Sequence, residues 1–200
     1  MYFFQLLLLP LLLLLKLDLP GGEAYTRWVI TKACTLKVEG STNVNKFSCV
    51  ITGNFRPDTL TMNRFKGSEI TNINGRMNLY IQDFDCHNPL MTGDLRKTLK
   101  AKEFPKMIIR FISLGRYPDG ELKAYPINGI VSIEIAGVSK KYNVAYMVYH
   151  SGKNKMALRG VREIKFSDFG IVPPSKIGGM VKTNDKLFAE FNLALQLLND

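Results

Sequence analysis

Histidine is nearly missing from this 200-residue chain. There are two, His87 and His150, and neither stands at a spacing that would hold a metal ion. Asp168-Phe169-Gly170 has no glycine-rich phosphate loop or H-R-D element to accompany it, so its likeness to a kinase triplet is coincidental. Asp85-Cys86-His87 sets a thiol beside an imidazole. Neighbours in an extended strand point to opposite faces, so these two are poorly placed to act as a nucleophile pair. His150 precedes a Ser-Gly turn and reads as a solvated loop residue. The chain is read as a non-enzyme, with no catalytic residue, metal or cofactor implied. A redox enzyme working through Cys86 is the weakest of three readings, and ready alkylation of that thiol in the oxidised protein would mark it.

Other features are scarce too. No Ser/Gly/Pro-rich linker, low-complexity tract or internal repeat divides the chain, which argues for one domain. The formal charge is +10, yet the basic residues are scattered. Lys97, Lys100, Lys102, Lys106 and Arg110 form the densest stretch, and there is no Arg-rich block. Nucleic acid is therefore not an expected partner, whereas an anionic membrane surface fits the balance. Three cysteines, Cys34, Cys49 and Cys86, leave three possible pairings and one thiol over.

One long apolar run is present, and it is short for its kind. Leucines at residues 6–9 and 11–15 make a stretch of signal-peptide length, below the roughly 20 residues a spanning helix needs. No Lys or Arg precedes it, while Pro10, Lys16 and Asp18 shorten it further. Gly22 and Ala24 stand at −3 and −1 of a cut that would make Tyr25 the first mature residue. The expectation is a signal peptide over residues 1–24, a single domain over 25–200, and a periplasmic or secreted location. An oxidising compartment would permit a disulfide. Without the leader the charge stands near +11.

Period-2 alternation dominates the rest. Leu36, Val38 and Gly40 share a face, as do Phe47, Cys49, Ile51, Gly53 and Phe55. Met77, Leu79 and Ile81 alternate with Asn78, Tyr80 and Gln82, and Ile127, Gly129, Val131, Ile133 and Ile135 alternate with Asn128, Ile130, Ser132 and Glu134. Tyr142 to Val148, Leu158 to Phe166 and Leu187 to Leu195 repeat the pattern. It is the signature of antiparallel strands with one covered face. Turn signals fall at Gly67-Ser68, Asn74-Gly75, Pro118-Asp119-Gly120, Ala136-Gly137 and residues 151–154. A helix is expected over residues 93–103, started by Asp94, carrying Leu95 and Leu99 on one face and stopped by Pro105. The fold class is all-β: an antiparallel, eight-stranded or slightly larger, lipocalin-like up-and-down barrel with one short helix.

Three stretches resemble the YceI family of periplasmic polyisoprenoid-binding proteins. Ile164 to Ile171, reading I-K-F-S-D-F-G-I, leads into a Pro-Pro loop, Gly178-Gly179 and a last apolar strand. Ile127 to Lys140 is similar to the family's G-V-T-K hairpin, and Phe104-Pro105 with the strand to Phe111 is similar to its Y-P-x-I-x-F strand. Phe166 stands where many members carry Arg, and residues 41–49 read S-T-N-V-N-K-F-S-C, like a variant branch of the family. In that branch the cysteines at the positions of Cys49 and Cys86 bridge, which implies this disulfide here and leaves Cys34 free.

The resemblance implies that the inward faces enclose a tunnel for a long lipid. Phe47, Phe55, Met77, Leu79 and Ile81 are its expected lining from the first half of the chain. Ile109, Phe111, Val131, Ile133, Val144, Tyr146, Ile164, Phe166 and Phe191 complete it, with the Tyr146 hydroxyl near a polar headgroup. The expected ligand is a polyisoprenoid or fatty-acid derivative, sequestered or carried in a bacterial envelope. The rival expectation is a ligand-free structural or stress-response protein with a filled core. Self-association as a homodimer is left open.

Overall fold

The structure, a computed structural model, describes residues 24–53, 55–120 and 123–198. Apart from Ala24, the expected leader lies outside the described residues. Among these there are eleven strands and one α-helix: β1 (Ala24–Ile30), β2 (Thr35–Thr42), β3 (Lys46–Thr52), β4 (Thr59–Arg64), β5 (Thr71–Tyr80), α1 (Pro89–Thr98), β6 (Lys106–Leu114), β7 (Ala124–Ile135), β8 (Val138–His150), β9 (Lys155–Lys165), β10 (Ser175–Lys176) and β11 (Val181–Leu197). Antiparallel pairing runs β1-β4-β5-β6-β7-β8-β9-β11, and a β1–β11 pairing closes the ring at eight strands. No helix among the described residues is long and apolar enough to cross a membrane.

The alternation explains which residues meet inside. In β7 and β8 buried and exposed residues alternate along most of each strand. The two join through Ala136-Gly137, both at positive φ (50° and 79°), the geometry of a tight hairpin turn whose twist matches the strands. A slip of one residue would turn this whole apolar set to water, so the register is strongly specified.

β11 is 17 residues long and uses one edge twice. It pairs with β2 from Thr183 to Asn192, then with β1 from Leu195 to Leu197, while its other edge pairs with β9. The barrel is thus closed at one end by β1 and β4, and at the other by the β2–β3 hairpin. There β3 meets the chain leaving β5 through a single bridge, Val50 to Asp85, with N–H···O distances of 2.8 and 2.9 Å. The Cys49–Cys86 disulfide lies beside it. α1 reinforces this seam: Thr92 Oγ1 accepts the Cys86 N–H at 3.0 Å, and the Arg96 guanidinium donates to the carbonyls of Gln82 and Phe84.

Three expectations need correction. The helix starts at Pro89 and ends at Thr98, not over residues 93–103. Asn88 caps it, accepting the Met91 N–H at 3.1 Å, and Pro89 fills the first turn, where a missing N–H costs nothing. Lys100, at φ 53°, breaks it before Pro105 is reached. Asp94 is consequently mid-helix, paired with Lys176 at 2.7 Å. Asn74-Gly75 is no turn. It lies inside β5, where pairing with β6 shifts between Asn72 and Gly75, and a Cβ on Gly75 would strike the Leu60 side chain. His150 is no solvated loop residue: it ends β8 with its ring stacked on Tyr125 at 5.9 Å.

Candidate ligand-binding cavity

The inward faces leave an apolar cavity of about 50 Å³. Met77, Ile109, Phe111, Val131, Ile133, Val144, Tyr146, Ile164 and Phe191 line it, as do Leu36, Val38, Met107, Ala189 and Leu193. Seven strands contribute, so the void sits on the barrel axis rather than under one loop. The remaining expected residues lie elsewhere. Phe55, Leu79 and Ile81 are buried in the core without bordering the void. Phe47 and Phe166 floor a separate groove of about 380 Å³ at the helix-bearing end, with Met91 and Leu95 of α1. Phe47 also projects its ring tip onto the place a Cβ of Gly40 would take, against Leu187, so it stands between groove and interior.

Thr35, Arg162 and Asn192 also border the cavity, and one more polar group, the Tyr146 hydroxyl, is carried by a side chain buried in the barrel. Tyr146 is 3% exposed, and its ring meets Phe191 edge-on at 5.3 Å. Glycines make room for this pair: a Cβ on Gly129 would come within 2.8 Å of the Tyr146 ring, and one on Gly160 within 2.8 Å of Phe191. Burial alone pushes the Tyr146 phenol up, so it stays protonated at neutral pH. Its hydroxyl has no hydrogen-bond partner among the described residues, leaving a donor available at the wall.

Cys49 and Cys86 are bonded, so Cys86 is no thiol nucleophile in this state. Cys34 is buried, Sγ donating to the Ala194 carbonyl at 3.6 Å, and burial pushes its thiol up, away from the reactive thiolate. His87 is exposed, 3.9 Å from the Asp85 carboxylate. No group of three or more His, Cys, Asp or Glu able to hold a metal occurs among the described residues.

Asp168 ties the end of β9 to β8. It accepts the Lys165 N–H at 3.3 Å and the Tyr142 hydroxyl at 2.9 Å, with Lys140 Nζ 3.5 Å away. Burial pushes its carboxyl up, but the Tyr142 hydrogen bond and the Lys140 charge outweigh it and hold it below the ordinary 3.8. A carboxylate depressed in the folded state contributes stability above its unfolded value and loses it as pH falls through the folded one. Asp168→Asn should therefore cost about 1–2 kcal/mol at neutral pH. Urea titrations should show the gap to the parent shrinking below about pH 4. A gap that stays constant down to acid pH would mean the carboxylate charge is not what matters.

No protein-family profile matches this sequence, and neither does any curated protein. Solved structures do. Burkholderia cenocepacia BcnA is 14% identical over 82% of this chain and 98% of its own, with a TM-score of 0.62. A Saccharophagus degradans domain, described as polyisoprenoid binding and implicated in plant cell wall breakdown, is 8% identical over 88% of this chain and all of its own, TM-score 0.62. The Campylobacter jejuni YceI protein is 16% identical over 74% of this chain and 84% of its own, TM-score 0.52. The chain is a lipocalin-like closed antiparallel barrel. More particularly, it shares the fold of the YceI protein structures.

Proposed function

We propose that this protein is an exported member of the YceI family, of the variant branch with the S-T-N-V-N-x-F-x-C opening. In this reading it binds, without catalysis, the apolar chain of one long amphiphile, a polyisoprenoid or fatty-acid derivative, in a bacterial envelope. The observation that carries it is the cavity wall: apolar side chains from seven strands, with the buried Tyr146 hydroxyl unbonded among the described residues. A chain threaded there would gain about 0.8 kcal/mol for each CH₂ taken from water, and Tyr146 would donate to a polar atom of the ligand. The description of the Saccharophagus domain supports the same ligand class.

A void of about 50 Å³ is smaller than the roughly 150 Å³ that admits benzene, so a long chain enters only if the lining yields. Met77 and Met107, unbranched and adaptable, lie on the neighbouring strands β5 and β6, and Phe47 bars the way from the groove. The same small volume favours the second reading, a filled barrel with a structural or stress-related role. Native mass spectrometry of protein purified from the envelope without detergent decides between them. A bound lipid, or uptake of an added polyprenyl alcohol at one per chain, is expected. Apo mass with no uptake of polyprenyl or acyl chains would leave the filled barrel.

A further inference from the structure

We infer that the helix-bearing end of the barrel is a docking face for an anionic phospholipid bilayer. Among the described residues six large apolar side chains are more than three-fifths exposed: Tyr25, Val44, Leu90, Val172, Ile177 and Met180. All but Tyr25 belong to one end. They come from three separate segments: the β2–β3 turn, the first turn of α1 and the connection from β9 to β11.

These segments are held together. Asn43 Nδ2 donates to the Met180 carbonyl at 2.9 Å, and Asn43 Oδ1 accepts the Lys182 N–H at 2.9 Å, which puts Val44 beside Met180. Val44 and Leu90 border the same groove, which is also lined by Lys46 and Lys176. Leu90 is 81% exposed although the next apolar residues of α1, Met91 and Leu95, pack on the core. Folding therefore does not explain why these apolar tips are there.

Charge selects the occupant. Lys46 and Lys182 stand among the tips with no ion pair among the described residues, and Lys97, Lys100 and Lys102 follow at the far end of α1. Lys176 is paired with Asp94. Apolar tips interleaved with lysines suit a bilayer: the tips enter the acyl boundary while the ammonium groups reach the phosphates. A second copy would bring the same lysines face to face across a two-fold axis, and they would repel. The inference goes beyond the proposed lipid binding and stands without it, because docking needs nothing in the barrel.

An environment-sensitive fluorophore tests it on the full chain, with vesicles free of polyprenyl lipid. Cys49 and Cys86 are bonded and Cys34 is buried, so one introduced cysteine takes the label. With vesicles of phosphatidylcholine and phosphatidylglycerol, a label on Leu90→Cys should shift to the blue. A label on Lys153→Cys, in the turn at the opposite end, should not. Omitting phosphatidylglycerol or raising the salt should reduce the shift. Leu90→Asp and Met180→Asp should each weaken vesicle binding roughly tenfold, since each removes one apolar side chain that would enter the acyl boundary. An unshifted label at 90, equal shifts at both positions, or a shift at 90 that grows with protein concentration without vesicles would overturn the inference. The last result would assign the face to a second copy.

Discussion

Replacing Cys49 and Cys86 together with serine should lower the stability of the folded chain by about 4 kcal/mol. The bond closes a loop across a sequence separation of 37 residues, and releasing a loop of that length into the unfolded ensemble gives a figure of that size. Its position localises the loss. β7, β8 and β9 are each held along both edges, whereas β3 has β2 on one side and the Val50–Asp85 bridge on the other. Without the disulfide, two backbone hydrogen bonds hold that seam, assisted by α1 through Thr92 and Arg96. Amide exchange should accelerate over β3, residues 81–88 and α1, and stay slow in β7 and β8. A dithiol reductant should reproduce both effects in the parent. The urea midpoint reads the first and exchange mass spectrometry the second. If exchange rises evenly around the barrel, the seam is no weak point, and the bond acts on the unfolded chain alone.

That seam also shows how far the sequence could be read. Alternation marks the β7–β8 hairpin almost residue by residue, because both strands carry an unbroken inward set and Ala136-Gly137 has one easy conformation. β4 carries little signal because its inward set is only Leu60 and Met62, too short a pattern to stand out. β1 begins at the expected cleavage point, where the leader masks its pattern, yet it supplies Trp28 and Ile30 to the core. The start of α1 is legible in Asn88-Pro89, whereas the apolar spacing of Leu95 and Leu99 points to a start four residues later.

The cavity had a different obstacle. Period 2 tells which face a side chain takes, but not its height along the barrel axis. Phe47 and Phe166 face the groove at one end, and Ile81 sits where the chain has left the sheet in a 3₁₀ turn. Met107, two residues before Ile109 on the same face, follows from the same parity rule and borders the void as well. Parity also turns Leu36, Val38, Ala189 and Leu193 inward, and only their height on the axis brings them to the void.

Ala189→Leu separates a binding barrel from a filled one. Ala189 lies on β11 between Val38 of β2 and Arg162 of β9, and it borders the void, where its short side chain leaves space. Leucine adds three carbon atoms there. If the lining yields to admit a ligand, those carbons take up room the ligand would use. Each buried CH₂ is worth about 0.8 kcal/mol, so the urea midpoint should hold or rise while polyprenyl uptake falls at least about tenfold. A solid barrel gives the opposite pair of results. Overpacking would cost about 1–3 kcal/mol, and there would be no uptake to lose. Met107→Ala works in the other direction. Truncating it should cost about 2–5 kcal/mol in stability and, in a binding barrel, widen the range of chains accepted. Opposite signs of stability and uptake across these two substitutions would mean that the interior is kept soft for a guest. Stability changing alone would mean it is simply a core.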